Sequence, residues 1–219
     1  MTDPTTKNIA LITGSTRAVR IGPQVTKFVQ TILEEQLSSS SKVAKSTLSE
    51  VDIASFKLPI FDEEVIPATV PFMAQFAHQH SKDWSAEIVK YDGYVLVTPC
   101  YNAGPPGGVK NAIDYLYNEI KGKPFLIISY GVMGGDKASD SLKITLESMN
   151  VHVVETRPML AFAKNEPFTA GMPWDMIQAT QGKLGEESAR EWDQTKEEIL
   201  RGFGELKEFL AKPAEIATA

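Results

Sequence analysis

The sequence predicts an α/β fold, a doubly wound, five-stranded parallel sheet with helices on both faces. Unbroken apolar runs such as Tyr94–Val97 (YVLV) and Phe125–Ser129 (FLIIS) have the hydrophobicity of strands buried on both sides. Segments with helical apolar spacing separate such runs, so strands alternate with helices five times over. Crossovers between parallel strands are right-handed in nearly every case, which leaves few topologies for this order.

The first strand is Asn8–Thr13 (NIALIT), broken by Gly14-Ser15-Thr16-Arg17. A helix is expected from Pro23, a residue suited to a first helical turn, with Val25, Phe28, Val29, Ile32 and Leu33 facing inward. Ser38–Ser41 and Lys42 make a polar loop, and Lys45–Asp52 is the second strand. Leu58–Phe61 and the acidic Asp62-Glu63-Glu64 form an irregular connection. A helical pattern then covers Pro71–Lys90 through Met73, Phe76, Ala77, Trp84 and Ile88. The central strand, Tyr94–Val97, opens into a loop that carries Gly104, Pro105, Pro106, Gly107 and Gly108. Val109, Ile113, Leu116 and Tyr117 follow at helical spacing, and Gly122 and Pro124 end that pattern. Phe125–Ser129 runs into Tyr130-Gly131-Val132-Met133-Gly134-Gly135, a helix covers Asp136–Met149, and Val151–Glu155 supplies the last strand. Pro158–Gly185 has little periodicity and is expected to be an extended loop of the kind that forms lids or interface arms. Ser188–Leu210 is a closing helix whose stripe of Trp192, Ile199, Phe203, Leu206 and Leu210 packs on the sheet or on a second subunit. No solenoid-length repeat occurs.

At 219 residues the chain is expected to form one domain, its core at about 8–162 and a C-terminal loop and helix at about 163–212. A net charge of −6 argues against nucleic acid or an anionic membrane as partner. No stretch is apolar for long enough to span a bilayer, and MTDPTTKN lacks the basic and apolar regions of a secretion signal. The single cysteine, Cys100, excludes an internal disulfide and fits a reducing, cytoplasmic compartment.

Ligands of open α/β sheets sit outside the carboxyl ends of the strands. Thr13–Arg17 lies at such an end, where a helix N-terminus attracts anions and where Ser15, Thr16, Arg17 and Arg20 would complete a phosphate site. From these residues alone, a polar turn with solvated arginines is the other reading. Neither GxGxxG nor GxxxxGK[ST] is present, which disfavours the dinucleotide-binding Rossmann and Walker folds. Pro99–Gly108 and Ser129–Gly135 would flank the same edge, their glycines allowing close backbone approach and Tyr101 and Tyr130 able to stack on a flat ring. His78 and His80, two apart on the expected helix, should not face each other, which disfavours a metal pair. The acidic run at 62–64 reads as solvated and His152 as structural or exposed. Tyr115 and Tyr117 are candidate subunit contacts, and Trp174 could close over a ligand or dock on a partner. A lone thiol such as Cys100 is more often inert than redox-active.

Taken in order, Gly14-Ser15-Thr16-Arg17, Thr98-Pro99-Cys100-Tyr101-Asn102, Lys110-Asn111-Ala112-Ile113-Asp114 and Ser129-Tyr130-Gly131 with Gly134-Gly135 resemble the NADPH-dependent FMN reductase family. Within it the likeness is greatest to the fungal FMN-dependent NAD(P)H:quinone reductases. It covers roughly Ile9–Phe162, supported by Val51-Asp52, Leu58-Pro59 and Trp84-Ser85. The resemblance implies a flavodoxin-like sheet of order 2-1-3-4-5 with tightly bound FMN at its carboxyl edge. Ser15, Arg17 and Arg20 would hold the phosphate. Pro99, Cys100, Tyr101, Asn102, Ala103 and Gly104 would border the flavin ring on one side, and Ser129, Tyr130, Gly131 and Gly134 on the other. It further implies NAD(P)H as co-substrate, a quinone, free flavin or azo compound as acceptor, and a homodimer or homotetramer. Cys100 stands where the family often has an acidic or amide residue, Ala103 and Pro106 alter the loop, and the tail from Ala163 is longer than expected. With the chemistry carried by the cofactor, no catalytic side chain and no metal are expected. A flavodoxin-like electron carrier or a flavin-sensing binding module is the alternative; a carrier would be expected to be more acidic than this chain.

Overall fold

The computed structural model describes residues 6–39, 45–70, 75–166 and 171–212. Its strands β1 (Lys7–Thr13), β2 (Ser46–Asp52), β3 (Gly93–Pro99), β4 (Pro124–Gly131) and β5 (His152–Val153) form a parallel sheet of order β2-β1-β3-β4-β5. The helices are α1 (Gly22–Ser39), α2 (Gln79–Ile88), α3 (Gly107–Asp114), α4 (Asp136–Ser148), α5 (Trp174–Thr180), α6 (Glu186–Trp192) and α7 (Lys196–Ala211). The expected doubly wound architecture is present.

Side chains alternate across each strand, so one hydrophobic run supplies two cores. Ala10, Ile12, Leu96 and Ile127 face α2, α3 and α4, where Trp84, Ile113 and Leu142 are buried against them. Ile9, Leu11, Val97 and Ile128 face the other way, onto Val25 and Val29 of α1 and Phe203 and Leu206 of α7. Fully burying one such side chain contributes about 1.5–3 kcal/mol, so both faces are driven by apolar burial rather than by polar contacts. The closing stripe therefore packs within this chain.

Several expected boundaries shift, each for a local reason. The last strand is shorter than Val151–Glu155, because the chain leaves the sheet edge and returns as β6 (Met159–Ala161), which pairs with the upper half of β4. Pro158, in the gap, has no amide to donate to a continuous ladder. The expected loop at 158–185 thus contains β6 and α5. The closing helix is interrupted by a 3₁₀ turn at Asp193–Thr195. There Trp192 turns into the core, its indole N–H donating to the Ala161 carbonyl at 2.5 Å and its ring meeting Phe28 edge-on. The helix expected from Pro71 starts at Gln79; Pro71 and Met73 lie outside the described residues, as do most of the polar loop at 38–42 and Pro167.

The acidic run is not a solvated loop. Glu63 is buried, and its carboxylate accepts from the Ala77 and His78 amides at 2.8 and 2.9 Å, placing negative charge at the start of α2. Asp62 accepts from the Tyr115 hydroxyl at 2.8 Å and meets His80 Nε2 at 2.8 Å. His78 precedes the helix instead of sitting within it, so the two imidazoles stack with centroids 5.2 Å apart, against expectation. Among the described residues, no His, Cys, Asp and Glu group forms a metal cluster. Tyr115 is buried within this chain rather than offered to a second subunit. Tyr115→Phe leaves Asp62 short of one donor, and a loss of about 1 kcal/mol in urea unfolding is expected; an unchanged midpoint would show that this bond is replaced by water.

Candidate functional site

Loops leaving β1, β3 and β4 converge at the carboxyl edge of the sheet, around a cleft of about 310 Å³. The first, residues 14–21, is anchored by the Gly14 amide on the Val97 carbonyl (2.8 Å) and by a 2.8 Å contact between the Thr13 and Thr26 hydroxyls. Ser15 is fully buried, and its hydroxyl has no hydrogen-bond partner of normal geometry; the Tyr130 phenol lies near without completing a bond. It fits there because residue 22 is glycine: a Cβ at Gly22 would stand 1.9 Å from Ser15 Oγ. Among the described residues, the amides of Thr16, Arg17 and Ala18 make no backbone hydrogen bonds. A buried hydroxyl without a partner beside free amides supplies the kind of donors from which anion sites are built.

The two arginines of this loop behave differently. Arg20 is gripped by Asp52 at the end of β2, with N–O distances of 2.9 and 2.5 Å, and also donates to the Ser15 carbonyl. The Asp52 hydrogen bond outweighs burial and holds the guanidinium more firmly protonated. Arg20 therefore shapes the loop and supplies field, whereas Arg17 carries the freer charge. Its guanidinium lies 3.6 Å from the centroid of the Tyr101 ring, on an exposed side chain. Such an exposed stacking is worth about 0.5–1 kcal/mol, weak enough to yield to a phosphate.

In the second loop, Tyr101 and Gly104 exchange backbone hydrogen bonds at 2.9 and 3.1 Å around Asn102 (φ 50°) and Ala103 (φ 58°). Positive φ at both central residues defines a type I′ turn, which projects Tyr101 and Asn102 at the cleft. Alanine in that region is strained by about 1–2 kcal/mol. Ala103→Gly is accordingly expected to raise stability by up to ~1 kcal/mol. A lowered thermal midpoint would contradict this.

The third loop follows Tyr130, a buried residue whose phenol pKa is pushed up by burial. The Cys100 amide donates to the Tyr130 carbonyl at 2.9 Å, locking the second and third loops together. Ser129 Oγ donates to the Gly134 carbonyl at 2.8 Å, and Gly134 and Gly135 turn the chain with φ of 76° and 86°.

Of the residues singled out from the sequence, Arg17, Arg20, Pro99, Cys100, Tyr101, Asn102, Tyr130 and Gly131 line the cleft. Ser15, in the first loop, is buried and does not line the cleft. Ala103, Gly104, Ser129 and Gly134 shape the loops without facing the cleft. Sequence reasoning missed Val19 and Ile21 in the first loop, Val132 and Phe162 beside β4, and Met176, Ala179 and Thr180 of α5. The first two carry an apolar signal that the arginines overshadowed; the α5 residues have no local signal. Trp174 does not close over the cleft. It lies in a wider hollow of about 640 Å³ on the other side of α5, with Lys183, Glu187 and Arg190.

Cationic and hydroxyl-bearing at one end, aromatic and apolar along its sides, the cleft fits a phosphorylated flat heterocycle. That site on a sheet of order 2-1-3-4-5 defines a flavodoxin-like protein. The chain belongs to the NADPH-dependent FMN reductase family, whose model matches residues 7–165. It is 46% identical over 211 residues to the NAD(P)H-dependent FMN reductase ntnL of a Nectria species, covering 94% of this chain and 98% of that one. A 34% identity over 125 residues links it to a quinone reductase of Escherichia coli, with 54% of this chain and 61% of the relative covered. Among solved structures, FerB, a flavoenzyme NAD(P)H:(acceptor) oxidoreductase from Paracoccus denitrificans, superposes with a TM-score of 0.60 at 21% identity, covering 93% of this chain and 98% of that one.

Proposed function

We propose that this protein is an FMN-dependent NAD(P)H oxidoreductase that reduces quinones, free flavin or azo compounds through the cleft at its carboxyl edge. The observation that carries this reading is the buried, unpartnered Ser15 hydroxyl in the same loop as Arg17 and Arg20. FMN, when bound, supplies two-electron chemistry between NAD(P)H and an acceptor. Ser15 and the amides of Thr16 and Arg17 would hold its phosphate, and Arg17 would leave the Tyr101 ring to pair with it. Arg20 keeps a fixed positive charge behind that site through Asp52. Pro99, Tyr101 and Asn102 on one side, with Tyr130 and Gly131 on the other, would orient the ring, and loop amides not already bonded within the chain would favour negative charge developing on it. No side chain in the cleft is required to act as nucleophile or base.

The chain is read as a single domain acting on small molecules in the cytoplasm, as a homodimer or homotetramer. No helix among the described residues is long and apolar enough to cross a membrane. Rapid anaerobic mixing of the yellow holoprotein with NADPH tests the activity: fast bleaching of the flavin is expected, and a flavin that stays oxidised would refute it. Arg17→Ala should weaken FMN binding by about 10–100-fold, the worth of a charge-assisted hydrogen bond. Equal retention of FMN on dialysis by variant and wild type would contradict that role.

A further inference from the structure

Helix α5 lies outside the segment matched by the family model, yet it forms part of the cleft through Met176, Ala179 and Thr180. Independent hydrogen bonds staple it at both ends. At its start the buried Asp175 carboxylate accepts from the Ser188 amide (2.6 Å) and from Asn165 Nδ2 (2.8 Å), and Asp175 N donates to Asn165 Oδ1 (3.1 Å). Just beyond its end, Gln24 of α1 donates to the Gly182 carbonyl at 2.8 Å and accepts from the Leu184 amide at 2.9 Å. Seven residues cannot hold a helix by themselves, so this double stapling makes a fixed wall of what would otherwise be a mobile arm. The wall is chemically plain. The Thr180 hydroxyl is spent on the Ile177 carbonyl, and Met176 packs partly into the α1 and α7 core beside Phe162.

From this we infer that α5 is the specificity wall of the cleft, and that Met176 and Ala179 set the size of the aromatic electron acceptor admitted beside the flavin. The inference rests on reading the cleft as the flavin and acceptor site. An apolar, rigid wall discriminates by shape alone, and a methylene gained or lost in such a pocket shifts selectivity by 10–200-fold. Chemically, it suits flat quinones of limited width, since the one polar side chain it turns to the cleft, Thr180, already donates its proton to the Ile177 carbonyl and has none to offer a substituent.

The test compares kcat/KM for a one-ring benzoquinone and a three-ring anthraquinone, with NADPH saturating, in FMN-loaded wild type, Met176→Ala and Ala179→Leu. The ratio of three-ring to one-ring turnover should rise about tenfold in Met176→Ala and fall by a similar factor in Ala179→Leu. Opposite shifts are the mark of a wall, because mere loss of structure would move both variants the same way. If both variants retain flavin and the ratio stays within twofold of wild type, the inference is overturned while the family reading stands. Wild-type protein that takes up no FMN would instead defeat the reading beneath it. Where Met176→Ala does not fold, Ala179→Leu decides alone, since its site is partly open.

Discussion

Gly22→Ala is expected to cost the protein its flavin. Within helices alanine is usually preferred to glycine, by about 1 kcal/mol. Here the new methyl carbon would lie 1.9 Å from Ser15 Oγ, 2.9 Å from Ser15 Cβ and 3.1 Å from the Tyr130 hydroxyl. Rotating one hydroxyl away does not relieve the second contact, because Ser15 is fully buried and its carbonyl is held by Arg20. Either the first loop or the start of α1 has to move. Overpacking of this kind costs about 1–3 kcal/mol, and the displaced groups are those that would cradle the phosphate. FMN affinity should therefore fall by tenfold or more, read as quenching of flavin fluorescence on titrating flavin-free protein. A dissociation constant within twofold of wild type would show that the cradle lies elsewhere.

Asp175→Ala should give the largest loss of stability among polar substitutions. The carboxylate is only 2% exposed and binds the Ser188 amide and the Asn165 side chain across a turn that also needs Gly185, where a Cβ would fall 2.0 Å from Asp175 Cγ. Truncation leaves buried donors without partners, at a cost of about 3 kcal/mol in urea unfolding. Burial raises the Asp175 pKa, but the bonds from Asn165 and Ser188 outweigh it and hold the group below the ordinary carboxylate range. With the folded pKa depressed, the stabilisation is present above the unfolded value, near 4, and disappears as pH falls through the folded one. The thermal midpoint of wild type should thus drop more steeply below about pH 4 than that of Asp175→Asn, which has no charge to lose. Parallel curves would rule out this carboxylate as the clamp.

What could be read from the chain was whatever its neighbours in sequence enforce. The Thr98–Asn102 and Ser129–Gly135 loops were recognisable because strand, glycine and aromatic residues are contiguous, and the cleft does form between them. His78 and His80 were misjudged for the converse reason. Helical geometry would have separated them, but Glu63, fifteen residues before His78, takes the Ala77 and His78 amides and delays the helix until Gln79. Tyr115 looked like a surface residue until Asp62 was brought beneath its hydroxyl. The division of labour between Arg17 and Arg20 was invisible as well, since it depends on Asp52 at the end of the neighbouring strand.

By itself the sequence determined the alternating sheet, the edge at which the cleft opens and the family, because apolar periodicity and loop chemistry act over a few residues. Tertiary structure alone decided that Ser15 is left without a partner, that Arg17 holds the freer charge, and that α5 walls the cleft. Those outcomes depend on groups far apart in the chain, such as Gln24 and Leu184 or Asp175 and Ser188, and local pattern carries no information about which distant donor meets which acceptor.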